Sequence, residues 1–152
     1  MTPSTESREH GEGLGLLLDR LAVDDLLTTY TMAVDQHAWD RLDDVFTPDA
    51  LVDYTATGGI AGPYPEVKAW LAATLPLFTG MQHVLGQRQV EIDGDSAVVR
   101  AYFTNPLLID REGRAPWRAD LGGVYVHTLV RTPAGWRSRQ LVEELLWRDT
   151  RE

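Results

Sequence analysis

TTYTMAVDQHAWDRLDDVFTPDA, residues 28–50, holds the change of pattern that decides the fold. Leading into it, Leu17, Leu21, Val23, Leu26, Leu27, Tyr30, Ala33, Val34 and His37 recur mostly at steps of three and four, while Asp19, Asp24 and Asp25 fall off that stripe. That spacing lines one face of a helix, which is expected from about Leu14. Asp40 then stands as an N-cap before RLDDVF, with acids in the first turn where the helix dipole favours them, so a short second helix is expected. Thr47-Pro48-Asp49 reads as a turn into LVDYTAT, an alternating strand with Val52, Tyr54 and Ala56 on one face. If the register is the opposite one, Asp53 faces inward instead.

Downstream, Gly58 to Pro63 breaks the strand and Pro65 opens a third helix, EVKAWLAATLPLF, with Val67, Trp70, Leu71 and Leu75 on its apolar face. Helical signals then stop. MQHVLGQRQVEI meets Asp93-Gly94 and continues as SAVVRAYFTNPLLI, a hairpin pattern. After the loop REGRAPW, LGGVYVHTLVRT turns at Pro133-Ala134-Gly135 into WRSRQLVEELLWR. Helices followed by a long antiparallel meander make an α+β domain, with helices covering one face of a strongly curved sheet that encloses a pocket. Residues 1–13 are polar and without period, and are expected to form a flexible tail ahead of a single domain over residues 14–152.

With 152 residues, 43% of them hydrophobic and 24% charged, the chain is long enough for one domain holding both a core and a cavity. A net charge of -9 and 14 basic residues that form no cluster argue against nucleic acid or an anionic membrane as partner. A small hydrophobic molecule fits better. No cysteine is present, which excludes disulfides, a thiol nucleophile and cysteine-bound metal. No apolar run approaches a membrane span and the first residues lack a secretory pattern, so a cytoplasmic location is expected.

Several motifs carry a family likeness: Tyr30 and Asp35 near a helix end, W-D-x-L-x-x-x-F-T-P-D-A, the Gly/Pro-rich loop, QH-x-LG, E-x-DGD, Y-F with Phe103, and R-T-x-x-G-W-R. From about Leu21 to Trp147 the chain resembles the SnoaL-like branch of the nuclear transport factor 2-like superfamily. That resemblance implies a cone-shaped α+β barrel around a deep apolar pocket, and a homo-oligomer, dimer or trimer. It also implies cofactor-independent chemistry, since Tyr30, Asp35, Tyr54 and His83 match the Tyr/Asp/Tyr/His set of the scytalone dehydratase and bile-acid dehydratase type. Asn105 takes a polar strand position of that group, and Pro106 stands where an acid is found in the bile-acid enzymes.

The side chains suit the chemistry. An imidazole such as His83 can take a proton and return it near neutrality, and a carboxylate such as Asp35 on its far nitrogen fixes the tautomer. The phenols of Tyr30 and Tyr54 are neutral donors that can stabilise an enolate-like charge. Removal of a proton beside a carbonyl, then loss of a β-hydroxyl that receives the proton from the same His, needs no metal. In an ideal helix Tyr30 and Asp35 lie about 140° apart, so helix geometry alone does not put both in one pocket. Substrate-binding candidates are Asn105, Phe103, Trp117 on its loop as a lid, and His127, for which a structural role is the favoured reading. His37 reads as a helix-end partner and VEELL, residues 142–146, as a solvated strand edge. The alternatives are a non-catalytic small-ligand-binding domain, or an epoxide hydrolase built on Asp53 and Arg100.

Overall fold

The computed structural model describes residues 5–151 of the chain. Helix α1 spans Thr5–Asp35 and starts earlier than the periodicity predicts. Its buried stripe is Val23, Leu26, Leu27, Tyr30, Ala33 and Val34, at the expected helical spacing. Leu17 and Leu21, expected on that stripe, are instead exposed, because the helix passes the rim of the sheet before it meets the core. The off-stripe Asp19 ties this end down: its two carboxylate oxygens accept from the Arg131 guanidinium at 2.7 and 2.8 Å, and one of them accepts from Trp136 Nε1 at 3.1 Å.

The helix ends where the site begins. Ala38 N–H donates to Ala33 O at 2.8 Å and His37 N–H to Val34 O at 3.1 Å, the paired bonds that close a helix through a left-handed residue. That residue is His37, with φ 54°, stacked on Trp39 with ring centroids 5.3 Å apart. The expected second helix is a 3-10 turn over Trp39–Asp44 with no side-chain cap, so Asp40 is not an N-cap.

Seven strands form the sheet: β1 (Phe46–Asp53), β2 (Ala61–Pro63), β3 (Gly80–Met81), β4 (Val84–Asp93), β5 (Ser96–Ile109), β6 (Trp117–Thr132) and β7 (Gly135–Arg151). Their order is β2-β1-β7-β6-β5-β3, with β4 also on β5, and all pairs are antiparallel except β1 with β7. The sheet does not close into the expected barrel. It curves over α1 and over α2 (Tyr64–Thr74), which cover its concave face. Thr47-Pro48-Asp49 belongs to β1, and residues 55–57, expected as strand, form a 3-10 turn. The two tight turns are as expected, with Gly94 and Gly135 at φ 58° and 100°.

The long strands bend at a bulge. Gly122 pairs with Trp147 and Gly123 with Leu145, leaving Leu146 extra on β7. A Cβ on Gly123 would lie 2.0 Å from the Glu144 carbonyl oxygen and 2.8 Å from the Phe103 ring. Backbone cannot yield as a side-chain tip can. Gly123→Ala is therefore expected to destabilise the fold by about 3 kcal/mol, read as a lower denaturant midpoint at unchanged slope.

Candidate active site

Inside the concave face lies a cavity of about 170 Å³, lined at its polar positions by Tyr30, Tyr54, Thr57, Thr74, His83, Asn105, Tyr125 and Glu143. Its apolar wall comes from α1, from α2 and the residues after it, and from β5 and β6. Among the described residues no lysine or arginine lines it.

His83 stands in the gap between β3 and β4, where the chain has left one strand and not entered the next. Its ring nitrogen Nδ1 lies 2.6 Å from Asp35 Oδ1, and its backbone N–H donates to Asp35 Oδ2 at 2.8 Å. Asp35, the last residue of α1, thus grips His83 with both oxygens from behind the cavity. A carboxylate can only accept, so Nδ1 carries the hydrogen, and in the neutral imidazole the lone pair is on Nε2. That lone pair faces Asn105, whose Nδ2 lies 3.0 Å away. A half-turn of the Asn105 amide would present its oxygen instead, so one side chain can satisfy both the neutral imidazole and the imidazolium. The helix-wheel objection is resolved by translation: Asp35 reaches the site from the helix end and Tyr30 from its buried face.

Tyr54 follows β1 and heads the turn 55–57; its N–H donates to Ile60 O at 3.0 Å, and Gly59 N–H donates back to its carbonyl at 2.9 Å. Gly58, at φ 97°, allows that tight return. The Tyr30 and Tyr54 hydroxyls lie 2.8 Å apart, fully buried. One hydroxyl hydrogen is used in that contact, leaving the other for a ligand oxygen. Burial drives both phenols well above the usual tyrosine pKa, so they remain neutral donors.

Two residues absent from the sequence expectation stand beside them. Tyr125 on β6 stacks on Phe103 at 4.1 Å and meets Tyr30 edge-on at 5.3 Å. Its register partner on β7 is Glu143, 7% exposed. VEELL is therefore not a solvated edge throughout, since Glu143 lines the cavity. Strand alternation inward from Leu141 could have found it. Burial raises the Glu143 carboxyl pKa, opposed by contacts with Thr57, His83 and Tyr125.

Of the remaining candidates, Phe103 is buried beneath Tyr125 and Trp117 stacks on Phe78 at 6.3 Å; neither lines the cavity, although Phe78 does. His127 does not line it either. It is fully buried and bonded through Nδ1 to Ser138 Oγ at 3.0 Å. Asp53 accepts from Thr55 at 2.6 and 2.8 Å, and Arg100 pairs with Glu144 at 2.6 Å on the exposed side. The carboxylate and arginine of the epoxide hydrolase alternative are therefore not brought together. Among the described residues no three His, Asp or Glu side chains group as a metal site.

An open seven-stranded sheet folded over a long helix, with a polar-ended cavity between them, is the α+β cone of the nuclear transport factor 2-like superfamily. Within it the chain belongs to the SnoaL-like domain family, whose model matches residues 16–142. An uncharacterized protein of Mycobacterium tuberculosis is 43% identical over 125 residues, 82% of this chain and 84% of the relative, and one of Mycobacterium bovis matches equally. Among solved structures, a protein from Kribbella flavida superposes with a TM-score of 0.78 at 23% identity, over 88% of this chain and 95% of the other. A candidate scytalone dehydratase from Novosphingobium aromaticivorans gives 0.75 at 18% identity, over 88% and 87%. Hexachlorocyclohexane dehydrochlorinase of type 3 from Novosphingobium barchaimii gives 0.75 at 20%, over 91% and 93%.

Proposed function

We propose that the protein is a cofactor-independent lyase, a dehydratase or a closely related isomerase or cyclase, acting on a small apolar ring compound. The observation that carries this is the chain Asp35–His83–Asn105, in which a carboxylate takes one ring nitrogen and leaves the other facing a largely apolar cavity. His83 Nε2 takes a proton from a carbon next to a carbonyl, and the electron pair of that C–H bond moves into the enolate. The free hydroxyl hydrogen of the Tyr30–Tyr54 pair stabilises the enolate oxygen. As the enolate collapses, the β-carbon–oxygen bond breaks and the departing oxygen takes the proton from Nε2, leaving as water. His83 is then neutral again.

Size narrows the substrate. A cavity of about 150 Å³ takes a benzene, so about 170 Å³ suits a molecule of one or two rings better than a steroid. Neighbouring folds named for loss of water and loss of hydrogen chloride agree with an elimination, but at their low identity they speak for fold. The reaction rests on the site. The test is incubation with one- and two-ring β-hydroxy ketones in heavy water, read by mass spectrometry. Deuterium uptake at the α-carbon with loss of water is expected. Ligands that raise the melting temperature while none is exchanged or dehydrated would instead make the cavity a non-catalytic binding site.

A further inference from the structure

Glu143 is a buried carboxyl that the elimination does not use. None of the ion pairs among the described residues includes it. A carboxylate buried without an ion-pair partner is costly. Thr57 Oγ1 lies 2.5 Å from Glu143 Oε2 and 3.1 Å from the Tyr54 carbonyl oxygen. A threonine hydroxyl has one hydrogen, and a carbonyl can only accept. The Tyr54 carbonyl already accepts from the Gly59 and Thr57 backbone N–H groups at 2.9 and 3.2 Å, so the Thr57 hydroxyl can either donate to Glu143 or accept from it. With the proton on Glu143, its O–H donates to Thr57 Oγ1 and no unpaired charge is buried.

We propose that Glu143 is a protonated, uncharged carboxylic acid that forms the second polar anchor of the cavity, turning its O–H from Thr57 to a carbonyl oxygen of the substrate. Tyr125 separates the two anchors: its ring centroid is 6.2 Å from that of His83, and Glu143 is its partner on β7. A carboxyl kept neutral by apolar surroundings can donate to a developing oxyanion, alongside phenols that do the same. The substrate class follows. With neutral donors on the β7 side and no lining cation, the cavity takes an uncharged ring ketone and rejects carboxylates and phosphates. This deepens the elimination reading and rests on it for the identity of the oxygen being held.

The groups facing Glu143 are Thr57 and Tyr54 beyond β1, Tyr30 on α1, His83 before β4, Tyr125 on β6 and Arg148 on β7. Its protonation is therefore read directly. Infrared spectra of protein carrying ¹³C-labelled glutamate should show a protonated carboxyl band at pH 5.5, where an ordinary glutamate is about nine-tenths ionised. Glu143→Gln should remove the band. Binding is read with 1-tetralone, whose oxygen only accepts, and with tetralin, which lacks it. Wild type and Glu143→Gln, which keeps an N–H donor, should bind tetralone within about threefold of each other, and Glu143→Leu at least tenfold more weakly. All three should bind tetralin alike, which confirms an intact cavity. Raising the pH should weaken tetralone binding to wild type more than to Glu143→Gln. A carboxylate at pH 5.5, no tetralone binding, or equal binding by Glu143→Leu overturns the proposal. None of these outcomes depends on turnover, so a failure of the lyase reading would be seen separately.

Discussion

His83→Ala is expected to lower α-proton exchange and elimination by about a thousandfold, the contribution of a positioned general acid and base, while tetralin binds as before. Asp35→Asn should cost as much for a different reason. Asp35 accepts from two donors of one residue, the His83 backbone N–H and the ring Nδ1–H. An asparagine offers one oxygen and one amide nitrogen. The backbone N–H has no alternative tautomer, so it claims the oxygen and the amide N–H₂ is left facing the ring. The imidazole then accepts at Nδ1 and carries its hydrogen on Nε2. The base has become a donor, and the rate should fall by about 10³- to 10⁴-fold. Ring ¹⁵N shifts of His83 check this independently of any substrate. They should report hydrogen on Nδ1 in the wild type and on Nε2 in Asp35→Asn. The same tautomer in both, or activity kept in His83→Ala, would remove His83 from the chemistry.

How much of this was legible in the sequence depends on whether local pattern or tertiary placement decided the outcome. The buried helix stripe from Val23 to Val34 and the turns at Gly94 and Gly135 follow from spacing and from backbone conformations that glycine supplies. Tyr30, Tyr54, His83 and Asn105 share one cavity, with Asp35 behind it. What the pattern could not supply was the reach of elements past their neighbours. Leu17 and Leu21 repeat at helical spacing, but periodicity does not tell where the sheet stops. VEELL looked like an edge because two acids interrupt it, yet alternation separates them: Glu143 turns inward beside Tyr125 and Glu144 turns outward to Arg100. His127 alternates correctly for the inner face but lies in the core away from the cavity, a distinction of position along the strand that register alone does not make.

That core position makes His127 the second large effect, on stability. Ser138 Oγ donates to Gln140 O at 3.0 Å, so its hydrogen is committed and it accepts from His127 Nδ1–H. Nε2 is left as a lone pair, without a protein partner among the described residues, between the rings of Tyr30 and Phe46 at 5.4 and 6.4 Å. A proton there would place a charge among buried aromatic rings, and burial pulls the His127 pKa from 6.5 down to about 3. The unfolded chain binds this proton more readily than the folded one throughout that window, so stability rises with pH across it. The contribution is complete above pH 6.5 and disappears as pH falls toward 3, in total on the order of 5 kcal/mol. Glu143 acts with the opposite sign: its raised folded pKa favours the protonated fold, so acidification relieves a strain that higher pH imposes. Denaturation of wild type, His127→Phe and Glu143→Gln between pH 7 and pH 4 separates the two. The histidine variant should lose about 3 kcal/mol less than wild type over that interval, because the lowered carboxylates at Asp19, Asp43, Asp53 and Asp120 are common to both proteins and cancel. The glutamate variant should lose more than wild type, having no carboxyl whose protonation offsets the loss at His127. Parallel curves for all three would mean that neither buried group titrates differently in the folded and unfolded chain.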